Sequence, residues 1–113
     1  MGGLAVYREG GVIINIEQEN NIKKIPTEFS LSQNYPNPFN PSTTIRFALP
    51  RYSPVELKVF DIRGREVKTL FQGRQSAGRY SVQWNGASFA SGVYFYVFSS
   101  DHFHAAGKLL LLK

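Results

Sequence analysis

Leu31-Ser32-Gln33-Asn34-Tyr35-Pro36-Asn37-Pro38-Phe39-Asn40-Pro41-Ser42-Thr43-Thr44-Ile45 places three prolines within six residues, interleaved with asparagines and aromatics, and runs directly into a β-patterned segment. Each proline fixes its own φ near about −65° and drives the residue before it toward extended geometry. Asn34, Asn37 and Asn40 can fold their side-chain amides back on the backbone in Asx-type turns. The stretch is therefore rigid and non-helical, and it reads as the way into a β domain rather than as a catalytic loop.

Downstream of it, every segment reads as strand or turn. Within residues 43–49, Ile45, Phe47 and Leu49 fall on one face, and residues 50–54 break the pattern with a proline at each end. Val55, Leu57 and Val59 alternate with outward Glu56 and Lys58. Asp61-Ile62-Arg63-Gly64 fits a tight turn, with the glycine available for positive φ. Residues 67–71 make the next short strand, and residues 73–78 a loop. Tyr80, Val82 and Trp84 alternate with Ser81 and Gln83, and Asn85-Gly86 turns the chain. Residues 92–98 are apolar on both faces, as a central strand would be. A last strand runs from about Ala105 to Lys113. With residues 29–31 added, about seven short strands and no sustained helical period predict an all-β antiparallel sandwich.

Upstream, residues 4–7 and 12–16 are β-rich and flank Arg8-Glu9-Gly10-Gly11, a hairpin turn. Residues 1–16 read as a β-hairpin remnant of a preceding domain. Residues 17–28 are polar, with Pro26 near the end, and read as a linker. Residues 29–113 form the domain.

A chain of 113 residues suggests one domain with a short appendage, large enough to bury a modest core. Nine Phe, six Tyr and one Trp supply that core, and the absence of Cys excludes disulfides and Cys-based metal sites. It does not exclude an extracellular location. The net charge of +5 is uneven: residues 1–30 carry three basic and four acidic groups, residues 31–113 ten basic and four acidic. A basic domain suits acidic partners such as nucleic acid, anionic lipid or polysaccharide, or an acidic protein groove; a merely solvated basic surface is the plainer account. No run approaches the roughly 18 apolar residues of a membrane-spanning helix. No signal peptide is visible, because the apolar run after Met1-Gly2-Gly3 stops before Arg8 and Glu9.

Sites for chemistry are scarce. His102 and His104 are the two histidines. At i and i+2 of a strand they would share a face and could offer two metal ligands, but no third is evident beyond Asp101, and a polar hairpin tip explains them as well. No nucleophile elbow, Ser-His-Asp grouping, paired carboxylates or helix-borne phosphate loop occurs. Asp61 reads as a turn-stabilising residue. Asn40-Pro41-Ser42 fails as a glycosylation sequon because of its central proline. Trp84, Tyr94 and Tyr96 could stack on sugars or bases, but their phase makes them core residues. No catalysis, cofactor or metal is expected. The sharpest local feature is Gly107-Lys108-Leu109-Leu110-Leu111-Leu112-Lys113, four leucines between two lysines. As a last strand it is expected to be a sheet edge, with unpaired N–H and C=O groups open to strand addition.

Five of these segments together resemble the type A C-terminal sorting domain of the type IX secretion system: the Asn34-Tyr35-Pro36-Asn37-Pro38-Phe39-Asn40-Pro41 stretch; Asp61 and Gly64 within the strand-turn-strand unit of residues 55–67; Trp84-Asn85-Gly86; Gly92-Val93-Tyr94-Phe95-Tyr96; and the terminal Gly107–Lys113. The resemblance covers residues 29–113. Asn85 stands where the family usually has Asp, and Leu109 where Met is common, both mild changes. The resemblance implies an immunoglobulin-like sandwich and a C-terminal address module. It further implies a parent protein that reaches the periplasm by a signal peptide absent from this chain. The domain would then engage an outer-membrane translocon and its shuttle proteins, and a sortase-like peptidase at the surface would cut it off. The secreted or surface-held cargo would be released or attached to lipopolysaccharide, and residues 107–113 are what the machinery would read. No nucleic acid enters this scheme. On this view the domain is the substrate of an enzyme rather than an enzyme, and the chain is the C-terminal piece of a longer protein. A carbohydrate-binding sandwich of a secreted hydrolase and a structural immunoglobulin-like spacer are the alternatives.

Overall fold

A computed structural model describes residues 4–8, 12–16 and 25–113. The chain forms strands β1 (Leu4–Arg8), β2 (Val12–Ile16), β3 (Ser30–Leu31), β4 (Ser42–Leu49), β5 (Ser53–Asp61), β6 (Glu66–Gln75), β7 (Gly78–Asn85), β8 (Gly92–Ser100) and β9 (Phe103–Leu111), with no helix among the described residues. They make two antiparallel sheets, ordered β1-β2-β7-β4-β3 and β6-β5-β8-β9. The all-β sandwich read from the sequence is what forms, and β3 to β9 are the seven strands expected of residues 29–113. The order β3-β4-β7 against β6-β5-β8-β9 is an immunoglobulin-like Greek-key arrangement. β1 and β2 pair as a hairpin, and β2 pairs with β7, so the hairpin extends the first sheet. Residues 17–24 of the expected linker lie outside the described residues.

Alternation builds the core. Ile45, Phe47 and Leu49 of β4, Tyr80, Val82 and Trp84 of β7, Val55, Leu57 and Val59 of β5, and Tyr94, Tyr96 and Phe98 of β8 all point inward and are buried. The sheets meet through aromatic contacts: Phe47 lies 4.9 Å from Phe98, and Trp84 lies 5.5 Å from Tyr94, ring centre to ring centre. Such pairs add about 0.5–1.5 kcal/mol each beyond their buried area.

One local turn is fully specified by its sequence. Asp61 Oδ1 accepts hydrogen bonds from the backbone N–H groups of Arg63 (2.9 Å) and Arg65 (3.0 Å), and Oδ2 accepts from Arg65 Nε at 3.0 Å. Gly64 at φ +83° allows the chain to reverse, in a region that side chains with a Cβ rarely adopt. The hydrogen bond from Arg65 N–H, with those from Arg63 N–H and the Arg65 guanidinium, holds the Asp61 carboxyl below its ordinary pKa despite partial desolvation. A carboxylate held down in the folded state stabilises above the unfolded value, about 3.9, and loses that contribution as pH falls through the folded one. Replacing Asp61→Asn should therefore lower the urea midpoint at about pH 6, and the gap from the unaltered chain should close by about pH 2. Equal gaps at both values would show that the charge does not matter.

Candidate functional site

The terminal strand is built from two different rows of side chains. β9 lies at the edge of the four-stranded sheet and pairs with β8, Leu109 opposite Tyr94 and Leu111 opposite Gly92. Leu109 and Leu111 are fully buried, whereas Lys108 is exposed, Leu110 half-buried and Leu112 exposed, on the other side of the strand. The four-leucine run thus splits into a core-filling pair and an outward pair, as the two-residue period requires.

The open edge expected from the sequence is not open along residues 108–112. The proline-rich loop lies along it. Leu110 N–H donates to Asn37 Oδ1 (3.0 Å), Phe39 N–H donates to Leu110 O (2.9 Å), and Leu112 N–H donates to Phe39 O (3.0 Å). Lys108 O accepts from Gln33 Nε2 (3.1 Å) and Asn37 Nδ2 (3.2 Å). Phe39 and Leu111 form a parallel bridge. An asparagine amide carries a donor and an acceptor in the same spacing as a peptide group, so Asn37 substitutes for the missing neighbour strand. Its proline neighbours supply no competing N–H.

The loop is itself anchored in both sheets. Asn34 is buried; its Nδ2 donates to Pro36 O (3.2 Å) and Thr43 Oγ1 (3.0 Å), and its backbone N–H donates to Tyr96 Oη at 3.2 Å. Tyr96 Oη donates in turn to Ser32 O (3.0 Å). Burial raises the Tyr96 pKa, partly offset by the Asn34 N–H, so the hydroxyl keeps the proton it donates. Tyr35 bridges to Thr44 of β4. The X-Pro bonds before Pro36, Pro38 and Pro41 are all cis. Phe39 is buried against Trp84, 5.6 Å between ring centres.

Two glycines make room for this joint. A Cβ on Gly107 would lie 2.2 Å from the Tyr96 ring, and one on Gly86 would lie 3.1 Å from Leu111 and 3.5 Å from Phe39. Gly86 N–H also donates to Pro41 O at 2.8 Å. Tyr94 Oη donates to Ala90 O (2.6 Å), and Lys113 N–H donates to Ser91 Oγ (3.0 Å), which ties the chain end to the loop before β8. Asp61 pairs with Tyr94, so the Asp61–Gly64 turn stands at the same end of the sheet as the terminus. Segments dispersed over eighty residues of sequence, from Gln33 to Lys113, are therefore one structural unit. Gln33, Thr43 and Tyr96 stand within the sequence motifs, but the hydrogen bonds they make in this unit were not legible from the sequence.

The remaining candidates are not brought together. His102 lies in the turn before β9, so it does not share a strand with His104, whose Nδ1 sits 3.2 Å from Ser99 Oγ. Among the described residues no three His, Cys, Asp or Glu side chains are grouped to hold a metal ion. Trp84, Tyr94 and Tyr96 are buried and cannot stack on a ligand; among the described residues the exposed large aromatics are Tyr35, Tyr52 and Phe95. A groove of about 420 Å³, lined in part by Glu56, Arg74, Ser99 and Asp101, opens at the opposite end of β8 from the terminus.

A family model described as the secretion system C-terminal sorting domain matches residues 33–111. The chain belongs to this family. The matched span starts at Gln33 and stops at Leu111, so it holds both the loop and the strand that the loop covers. No curated protein and no solved structure matches the chain. Membership assigns the domain as a C-terminal sorting signal of the type IX secretion system and makes its parent a secreted or cell-surface protein. The family is not a class of enzymes.

Two substitutions probe the joint. Gly107→Ala forces the Tyr96 ring aside and should cost about 1–3 kcal/mol in urea denaturation, as overpacking of a filled site does. Asn37→Ala removes the acceptor for Leu110 N–H while leaving the core intact. Its amide should exchange with deuterium faster by about tenfold or more, with the amides of β4 and β7 unaffected. Unchanged exchange at Leu110 would mean that the loop does not protect the strand.

Proposed function

We propose that the folded domain carries its parent through the outer membrane by presenting residues Gly107–Lys113 to the translocon and its shuttle proteins. One observation supports this reading most directly. With Leu109 and Leu111 in the core and the backbone of residues 108–112 bonded to the loop, the outward side chains Lys108, Leu110 and Leu112 and the chain end are what the terminal segment offers a partner. Recognition is therefore by side chains on a preformed strand rather than by strand addition at those residues. A sortase-like peptidase then cuts within residues 17–28, between the hairpin of residues 1–16 and the domain of residues 29–113, and the cargo is released or joined to lipopolysaccharide. Ile25, Thr27 and Glu28, in the described part of that segment, are exposed, which suits a protease.

Deleting residues 108–113 would strip Leu109 and Leu111 from the core and confuse misfolding with lost recognition. The test is a fusion of signal peptide, fluorescent protein and full chain in a type IX-competent host. It is compared with the same fusion lacking the chain and with one carrying Leu112→Asp. Surface or medium fluorescence should require the chain and should fall several-fold with Leu112→Asp at unchanged thermal stability. Export without the chain, or no export with it, would refute the sorting role. Peptide mapping of the secreted cargo that places the cut inside residues 29–113 would refute the linker assignment.

A further inference from the structure

We propose that the outward face of β5, β8 and β9 is a docking surface for a protein partner with an apolar centre and an acidic rim. This rests on the sorting role and names the surface through which it acts.

The inference starts from β8. Its sequence is apolar on both faces, which predicts burial on both. The structure buries one. Tyr94, Tyr96 and Phe98 enter the core, while Val93, Phe95 and Val97 point away from it, with Phe95 at 38% exposure. Register places neighbours beside them: Phe60, Phe95 and Lys108 lie in one row, Lys58, Val97 and Ala106 in the next, and Val93 stands opposite Leu110. No other layer among the described residues packs over this row. In the other sheet the outward residues of β4 and β7 are polar, with Arg46 opposite Ser81 and Thr44 opposite Gln83. A face that keeps water off nothing yet carries two phenylalanines, two valines and a leucine is what a binding surface requires and a solvated one does not.

Charge selects the partner. On the β5–β6 side one lysine is shared between two carboxylates, so that group keeps one negative charge. Lys58 Nζ lies 3.5 Å from Glu56 and 3.4 Å from Glu66, Gln72 bonds Glu56, and Thr69 bonds Glu66. Burial alone would lower the Lys58 pKa, but the contacts with Glu66 and Glu56 hold it above its usual value. On the β8–β9 side Lys108 makes no ion pair among the described residues, and neither does Arg63 beside the Asp61 turn. The charge on the β8–β9 side of the apolar row is thus positive, and an acidic rim on the partner complements it there. The loop of residues 33–39 blocks pairing along residues 108–112, so the partner meets the face and not the edge.

The test uses the fluorescent export fusion with Phe95→Glu, Lys108→Glu and Lys108→Ala on this face, and Gln83→Glu on the polar face. Lys108 is exposed, so its variants keep the test valid if Phe95→Glu fails to fold, which thermal unfolding reports. We expect export to fall by about tenfold or more with either Glu variant, the loss at a central contact. It should fall less with Lys108→Ala and stay unchanged with Gln83→Glu. Normal export of folded Phe95→Glu and Lys108→Glu, while the fusion without the chain stays inside, would overturn this surface and leave the sorting role standing. Failure of the unaltered fusion to export would overturn both. Sedimentation as a dimer that Phe95→Glu abolishes would assign the face to self-association and overturn the proposal as well.

Discussion

The pairing of Asn37 and Phe39 with Leu110 and Leu112 is the contact on which the rest of this structure depends. A last strand at a sheet edge loses entropy on docking and gains hydrogen bonds on one side, so it is prone to fray. Here the loop supplies the second side, and four hydrogen-bonding groups of residues 108–112 that would otherwise face water are paired. The loop can do this because it is held at both ends, by Asn34 under the Tyr96 hydroxyl and by Phe39 under Trp84. The same atoms therefore fix the chain terminus and stitch the two sheets along one side.

This joint gives several otherwise unrelated residues a common cause. Gly107 is small because Tyr96 crosses it to reach Asn34, and Gly86 is small because Leu111 and Phe39 fill the space beside it. Four aromatics, Phe39, Trp84, Phe89 and Tyr94, are joined by ring contacts beneath the loop. This joint exists only when the domain is folded, because its parts are joined by tertiary contacts and not by sequence. Under the proposed function, a partner would meet a preformed patch of side chains, which spares it the cost of ordering a flexible tail.

The two faces of the sandwich differ in character for a reason that follows from the strand sequences. β7 alternates apolar with polar residues, so its sheet turns Gln83 to water, with Ser81 on the same side but buried. β8 does not alternate, and its second apolar row has no layer above it among the described residues. The ladder of Glu56, Lys58 and Glu66 borders that row on one side with a net negative charge, and Lys108 borders it on the other.

Much of this was legible in the chain itself. The period-two pattern of residues 43–49, 55–59 and 80–84 determined strands and their inward sides. The prolines at 36, 38 and 41 excluded helix, and Asp61 with Gly64 determined a turn, since each of these rests on the geometry of neighbouring residues. The order of motifs was enough for the family. Tertiary structure alone decided that the terminal edge is covered, that Tyr96 reaches Asn34 across Gly107, and that the second face of β8 is left bare. Those outcomes depend on which strands become neighbours across more than sixty residues of chain, and alternation within a strand says which side is apolar but not what, if anything, will lie against it.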